Sequence, residues 1–108
     1  MNHWLALAGA IALEVSGTVS MKLSAGFTKL IPSILIFVFY AASFVVLALA
    51  LKKIDVGVAY AIWAGVGTAL IAIIGILFFK EPLSTLKVFS ICMIIAGVIG
   101  LNLSGARY

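Results

Sequence analysis

Of the three acidic residues in this 108-residue chain, only Glu14 falls inside a long apolar stretch. It lies eight residues before Lys22, about 12 Å away if the stretch is helical. That distance places it near the middle of a bilayer. No Lys, Arg or His lies inside any apolar block to neutralise it. An ionised carboxylate at such depth costs at least about 2.5–3.5 kcal/mol. The protonated form is the cheaper one there, because burial penalises charge. A carboxyl that is neutral when buried and charged when solvated or cation-bound is a proton carrier by construction. The plainer alternative is a protonated acid that only hydrogen-bonds between helices.

On a helix, Leu7, Ala10, Ile11, Gly17, Thr18 and Met21 lie within about 60° of Glu14. Ala10 and Gly17 add almost no bulk, which leaves space for another helix or for a ligand. Thr18 places one hydroxyl a helical turn from the carboxyl. Tyr60 and Trp63 lie one turn apart in a later stretch, and Tyr40 lies deep in another. An aromatic face near a carboxylate suits a lipophilic cation, through cation–π contact and charge pairing. Aromatic packing alone is the rival reading, and it is preferred for Phe37 and Phe44. Gly65 and Gly67 flank Val66 and could kink their helix; close packing is the equal alternative. Ala96 and Gly100 form a small-xxx-small pair with Gly97 beside it, a pattern suited to helix association.

Charges divide the chain into the elements that must carry these groups. Four apolar blocks are expected as helices, about 4–21, 30–51, 56–79 and 88–106. Each is near the roughly 17–25 residues that cross a bilayer core. Their length and lack of alternation favour helices over strands. The links are short, so successive helices run antiparallel in an up-and-down bundle. The expected architecture is an all-α integral membrane protein, one four-helix transmembrane domain over residues 1–108.

Composition excludes other classes. Hydrophobic residues make up 66% and charged residues 9%, against about 45–50% and 25% in soluble domains. Seven scattered Lys and Arg make no nucleic-acid patch. One cysteine and one histidine make no metal cluster, and no cofactor is implied. The first block lacks a basic leading region, so a cleaved signal peptide is disfavoured. No second carboxylate or nucleophile–base pair lies within the spans, which argues against an enzyme. Lys52, Lys53 and Arg107 fall on one side, and Lys22, Lys29, Lys80 and Lys87 on the other. Three against four sets no orientation. Either a weak preference is fixed by the cell, or the chain inserts both ways and pairs head to tail. Four helices fill their own interior, so a solute path calls for at least a dimer.

The chain closely resembles the small multidrug resistance family of bacterial exporters over essentially its whole length. The resemblance rests on Glu14-Val15-Ser16-Gly17-Thr18, Met21-Lys22-Leu23-Ser24 and Gly26-Phe27-Thr28-Lys29. It continues through Gly57-Val58-Ala59-Tyr60-Ala61-Ile62-Trp63-Ala64-Gly65-Val66-Gly67 and Phe78-Phe79-Lys80-Glu81. Ala96-Gly97-Val98 and Asn102 complete it. The resemblance implies four helices per chain, an antiparallel dual-topology dimer in the cell membrane, and proton-coupled export of quaternary ammonium or aromatic cations. By position, Glu14 resembles the shared proton and substrate carboxylate, and Trp63, Tyr60 and Tyr40 resemble substrate-contacting aromatics. Ala10, Gly17 and Thr18 match the surroundings of that carboxylate. The Gly65–Gly67 kink and the association helix with Ala96, Gly97 and Gly100 match as well. Guanidinium exporters of the family typically carry Trp where this chain has Gly17, so the multidrug branch is indicated. Ala64 stands where many relatives have Ser, and Ser90 where Gly is frequent.

These readings converge on an antiporter in which protons and a cation compete for two Glu14 side chains near the bilayer midplane. The partners are cationic hydrophobic small molecules, protons, the bilayer and a second copy, or a paralogue in a heterodimer. Rival functions are export of guanidinium or polyamines, a proton or cation channel, and a non-transporting or paired membrane subunit.

Overall fold

The computed structural model describes residues 2–105. Four helices account for most of them: α1 His3–Leu23, α2 Leu30–Ala50, α3 Val56–Phe78 and α4 Thr85–Gly105. No strand occurs among the described residues. Ala106, the expected end of the fourth span, and Arg107 lie outside the described residues. The helices of 21 to 23 residues rise about 30–35 Å, and each is long and apolar enough to cross a membrane. Leu30, Phe78 and Leu86 are more than 70% exposed. Lipid tails, unlike water, impose no hydrophobic penalty on such a surface.

Two compact units divide the chain, one up to Lys53 and one from Ile54. The first is the α1–α2 pair. Asn2 caps α1, its Oδ1 accepting from the N–H groups of Trp4 at 2.8 Å and Leu5 at 3.4 Å. Lys22 sits in the last turn, where a cation complements the helix dipole. The reversal after it is built around Ser24, which is fully buried. Its Oγ donates to Met21 O at 2.8 Å and accepts from Phe27 N–H at 3.1 Å. Ala25, Gly26 and Phe27 all take positive φ, at 49°, 73° and 67°. Only glycine adopts that region freely, so the tight reversal holds two strained neighbours. Pro32 sits in the first turn of α2, where its missing N–H removes no helix bond. Gly9 faces Val46, and Gly17 faces Tyr40, a pairing that fixes the two helices as antiparallel.

The second unit is the α3–α4 pair, also antiparallel. A Cβ on Gly65 would lie 2.7 Å from Val98 Cγ2, so the missing side chain lets α4 approach there. The helix continues unbroken through Gly65 and Gly67. At its end, the Gly75 carbonyl accepts from both Phe79 N–H and Glu81 N–H at 3.1 Å. Lys80 takes φ 56° to allow this turn.

The fourth helix begins at Thr85, three residues before the expected start at Val88. The charge on Lys87 makes it the boundary that sequence alone suggests. Instead Ser84 Oγ accepts from Lys87 N–H at 3.1 Å and caps the first turn. The Lys87 ammonium bends back to donate to Pro82 O at 2.6 Å. A long cationic side chain can lie in an apolar helix while its head reaches the edge.

Candidate binding site in the first helical pair

Helical periodicity sets Glu14 and Thr18 on one face of α1, and the site grows from them. Thr18 Oγ1 donates to Glu14 Oε1 at 3.3 Å. The same oxygen lies 2.7 Å from Tyr40 Oη on α2. Thr18 has one proton and has given it to Glu14, so Tyr40 is the donor in the second bond. The result is a hydroxyl chain from Tyr40 through Thr18 to the carboxyl. Glu14 Oε2 is buried and has no hydrogen-bond partner among the described residues.

Gly17 makes this chain possible. A Cβ there would lie 2.8 Å from both Cδ1 and Cε1 of the Tyr40 ring and 3.3 Å from Phe39 Cβ. Ring and α1 backbone are in direct contact because the side chain is absent. One turn earlier, Ser43 Oγ of α2 donates to Ala10 O at 2.8 Å, and Ser43 and Ala10 are fully buried. Leu7 and Ile11 are buried as well. Ser43 shares the Tyr40 stripe, one turn along α2, but its bond to α1 could not be read from spacing.

Tyr40 also stacks against Phe44, with centroids 6.4 Å apart and planes at 27°. In the second unit, Tyr60 and Trp63 meet edge to face, with centroids 5.5 Å apart and planes at 66°. Tyr60 is exposed and Trp63 half-buried. Thus Glu14, Thr18, Gly17 and Tyr40 come together in one unit, and Tyr60 and Trp63 in the other. On α4, Ala96, Gly97 and Gly100 are exposed. A Cβ on Gly97 or Gly100 would meet nothing within 4 Å. No group of three metal-ligating side chains occurs among the described residues.

The arrangement is a lone carboxyl within a membrane-spanning helix, served by one hydroxyl and bordered by aromatic and small side chains. Sequence comparison places it among known proteins. Residues 2–94 match the Small Multidrug Resistance protein family. The chain is 59% identical over 101 residues to the uncharacterized membrane protein YvaE of Bacillus subtilis, covering 94% of this chain and 85% of that one. It is 46% identical over 103 residues to the multidrug transporter EmrE of Escherichia coli, covering 95% and 94%. It is 43% identical over 103 residues to the quaternary ammonium compound-resistance protein QacF of Klebsiella aerogenes, again covering 95% and 94%. Four apolar spans, a family match over most of their length and relatives that are transporters rather than enzymes make this chain a multi-pass cell-membrane protein of the small multidrug resistance family.

Proposed function

We propose that the protein is a proton-coupled antiporter that exports lipophilic, quaternary ammonium and aromatic cations. The observation that carries this reading is the state of the Glu14 carboxyl. One oxygen has a single long hydrogen bond and the other is buried with no hydrogen-bond partner among the described residues. An ionised group left so poorly solvated is costly. It is stabilised by taking a proton or by pairing with a cation, and one site cannot hold both. Competition between the two couples their movements.

A quaternary ammonium ion has no N–H to donate, so charge pairing and aromatic faces must hold it. Glu14 supplies the charge, and Tyr40, Tyr60 and Trp63 are the aromatic groups assigned to the cation. Leu7, Ala10, Ile11, Gly17 and Thr18 complete the surroundings of the carboxyl. Gly17 also separates this reading from guanidinium export, since the Trp typical of that branch is absent. The name of QacF points to quaternary ammonium compounds, and that of EmrE to multidrug transport.

The functional unit we propose is an antiparallel dimer of four-helix chains. Support comes from α4, whose Ala96, Gly97 and Gly100 are exposed, and where a Cβ on Gly97 or Gly100 would meet nothing within 4 Å. Small residues on a lipid-exposed helix suit close contact with another helix. Near-balanced charge on the two sides of the membrane permits both insertions.

The test is proton release from the purified protein on adding tetraphenylphosphonium. Release in the native chain and none in Glu14→Gln supports antiport. Release that persists in Glu14→Gln overturns it. Uncoupled current in liposomes without a substrate cation would indicate a channel instead.

A further inference from the structure

Away from Glu14, the α3–α4 unit carries a groove of a different kind. One part, of about 250 Å³, is lined by Ile73, Ile76 and Leu77 of α3 and by Ile91 and Cys92 of α4, with Leu83 and Val88. No lining residue is charged. A second hollow of about 350 Å³ shares Leu83 and Val88 and adds Ser84 and Thr85. The two together form a depression that is hydrocarbon-lined along the helices and hydroxyl-lined at their end. Thr85 opens the fourth membrane-spanning helix, so the polar end lies at the bilayer edge.

Charge at this end is sorted. The Lys87 ammonium is tied to the carbonyl of Pro82, 2.6 Å away, and that carbonyl adjoins the groove wall at Leu83. Lys80 in the same link is exposed. The acid of the link is turned aside: the Glu81 carboxyl occupies the space where a Gly75 side chain would stand. Gly75 lies about 160° around α3 from the groove-facing Ile73 and Leu77 and about 100° from Ile76. The anion is therefore on the far side of α3, and the rim keeps a cation.

We infer that this groove binds an anionic phospholipid, with its phosphate at Lys87 and Ser84 and an acyl chain against Ile76, Leu77, Ile91 and Cys92. Three features fit that occupant together. The lining passes from apolar to polar in the direction a lipid does at the membrane edge. The rim charge is opposite to the headgroup. On α4, Gly97 lies about 120–180° around the helix from Val88, Ile91 and Cys92, so a dimer contact centred on Gly97 leaves the groove facing lipid. The inference does not require that the protein transports anything.

The experiment uses the full-length protein, delipidated in detergent and given phosphatidylglycerol or phosphatidylcholine of identical chains. Native mass spectrometry reads retention, and maleimide labelling of Cys92, the one cysteine of the chain, reads occupancy of the groove. Phosphatidylglycerol is expected to be retained about fivefold more strongly, the effect of one lysine near the surface. It should also slow labelling of Cys92. Lys87→Gln should abolish the preference, and Ile91→Trp, which fills the groove, should abolish protection of Cys92 by either lipid. Equal retention of the two lipids, or a preference unchanged in Lys87→Gln, overturns the proposal. So does a Cys92–Cys92 disulfide forming under mild oxidation, which would mean a second copy covers the groove. Cation-driven proton release is a separate measurement, so failure here leaves the antiport reading standing, and the reverse.

Discussion

Thr18 of α1 and Tyr40 of α2 join their hydroxyl oxygens at 2.7 Å, and this bond carries α2 to the carboxyl of Glu14. The link depends on Gly17, whose bare Cα admits the tyrosine ring. Adding one methyl should therefore act at a distance. In Gly17→Ala the new Cβ would stand 2.8 Å from two ring carbons. Tyr40 must move, at a cost of about 1–3 kcal/mol for overpacking. Titration calorimetry with tetraphenylphosphonium should show at least about fivefold weaker binding, the equivalent of about 1 kcal/mol. Gly57→Ala, with nothing within 4 Å, should bind as the native chain does.

The proposed competition at Glu14 predicts a pH response. If cation and proton compete for Glu14, affinity for the cation rises with pH and falls as acid protonates the site. Glu14→Gln should bind weakly at every pH, with a flat profile. Glu14→Asp should keep a sloping profile with a displaced midpoint, because the shorter side chain alters the carboxyl's surroundings. Binding isotherms across a pH series check this. A sloping profile in Glu14→Gln would assign the proton to another group.

Trp63 is expected to contribute to the guest and not to the proton. Removing one cation–π partner costs about 0.5–2 kcal/mol. Trp63→Ala should therefore weaken tetraphenylphosphonium binding by roughly 2- to 30-fold. Proton release at saturating cation should match the native amount. Loss of release at saturation would give Trp63 a role in the proton step.

Ser43 ties α2 to the backbone of α1 without touching the carboxyl. Its bond to Ala10 O is buried, and interhelical hydrogen bonds in membranes average about 0.6 kcal/mol. Ser43→Ala should lower stability by about that amount in a denaturation series and leave cation affinity within about twofold.

Gly97 tests the dimer cleanly, because its own unit offers a new side chain no obstacle within 4 Å. Gly97→Leu should leave helix content unchanged and reduce the crosslinked dimer in detergent and in vesicles. A native yield of dimer would place the contact elsewhere.

Charge placement foretold the four spans well, since a membrane helix tolerates few ionised groups and these mark its borders. The same logic misplaced the start of α4, because Lys87 escapes the apolar environment by bending its ammonium to Pro82. Periodicity along α1 was enough to put Gly17 and Thr18 beside Glu14. The Thr18–Tyr40 bond was not legible, because it depends on the register of α1 against α2. That register is set by the reversal at Ser24, where Ala25 and Phe27 adopt backbone conformations that their side chains disfavour. No propensity rule anticipates two such residues around one glycine. Ser43 was hidden for the same reason: its stripe was visible, and the carbonyl it reaches was not.

Among the described residues, α4 contributes no buried side chain. The first three helices are judged in part by how they fit their own chain, but the last answers chiefly to its surroundings. Substitutions along it should register as a change of company, whether lipid or neighbouring subunit, long before they register as a loss of fold. A duplicated copy could drift there toward a new mate while the carboxyl-bearing helix stayed untouched.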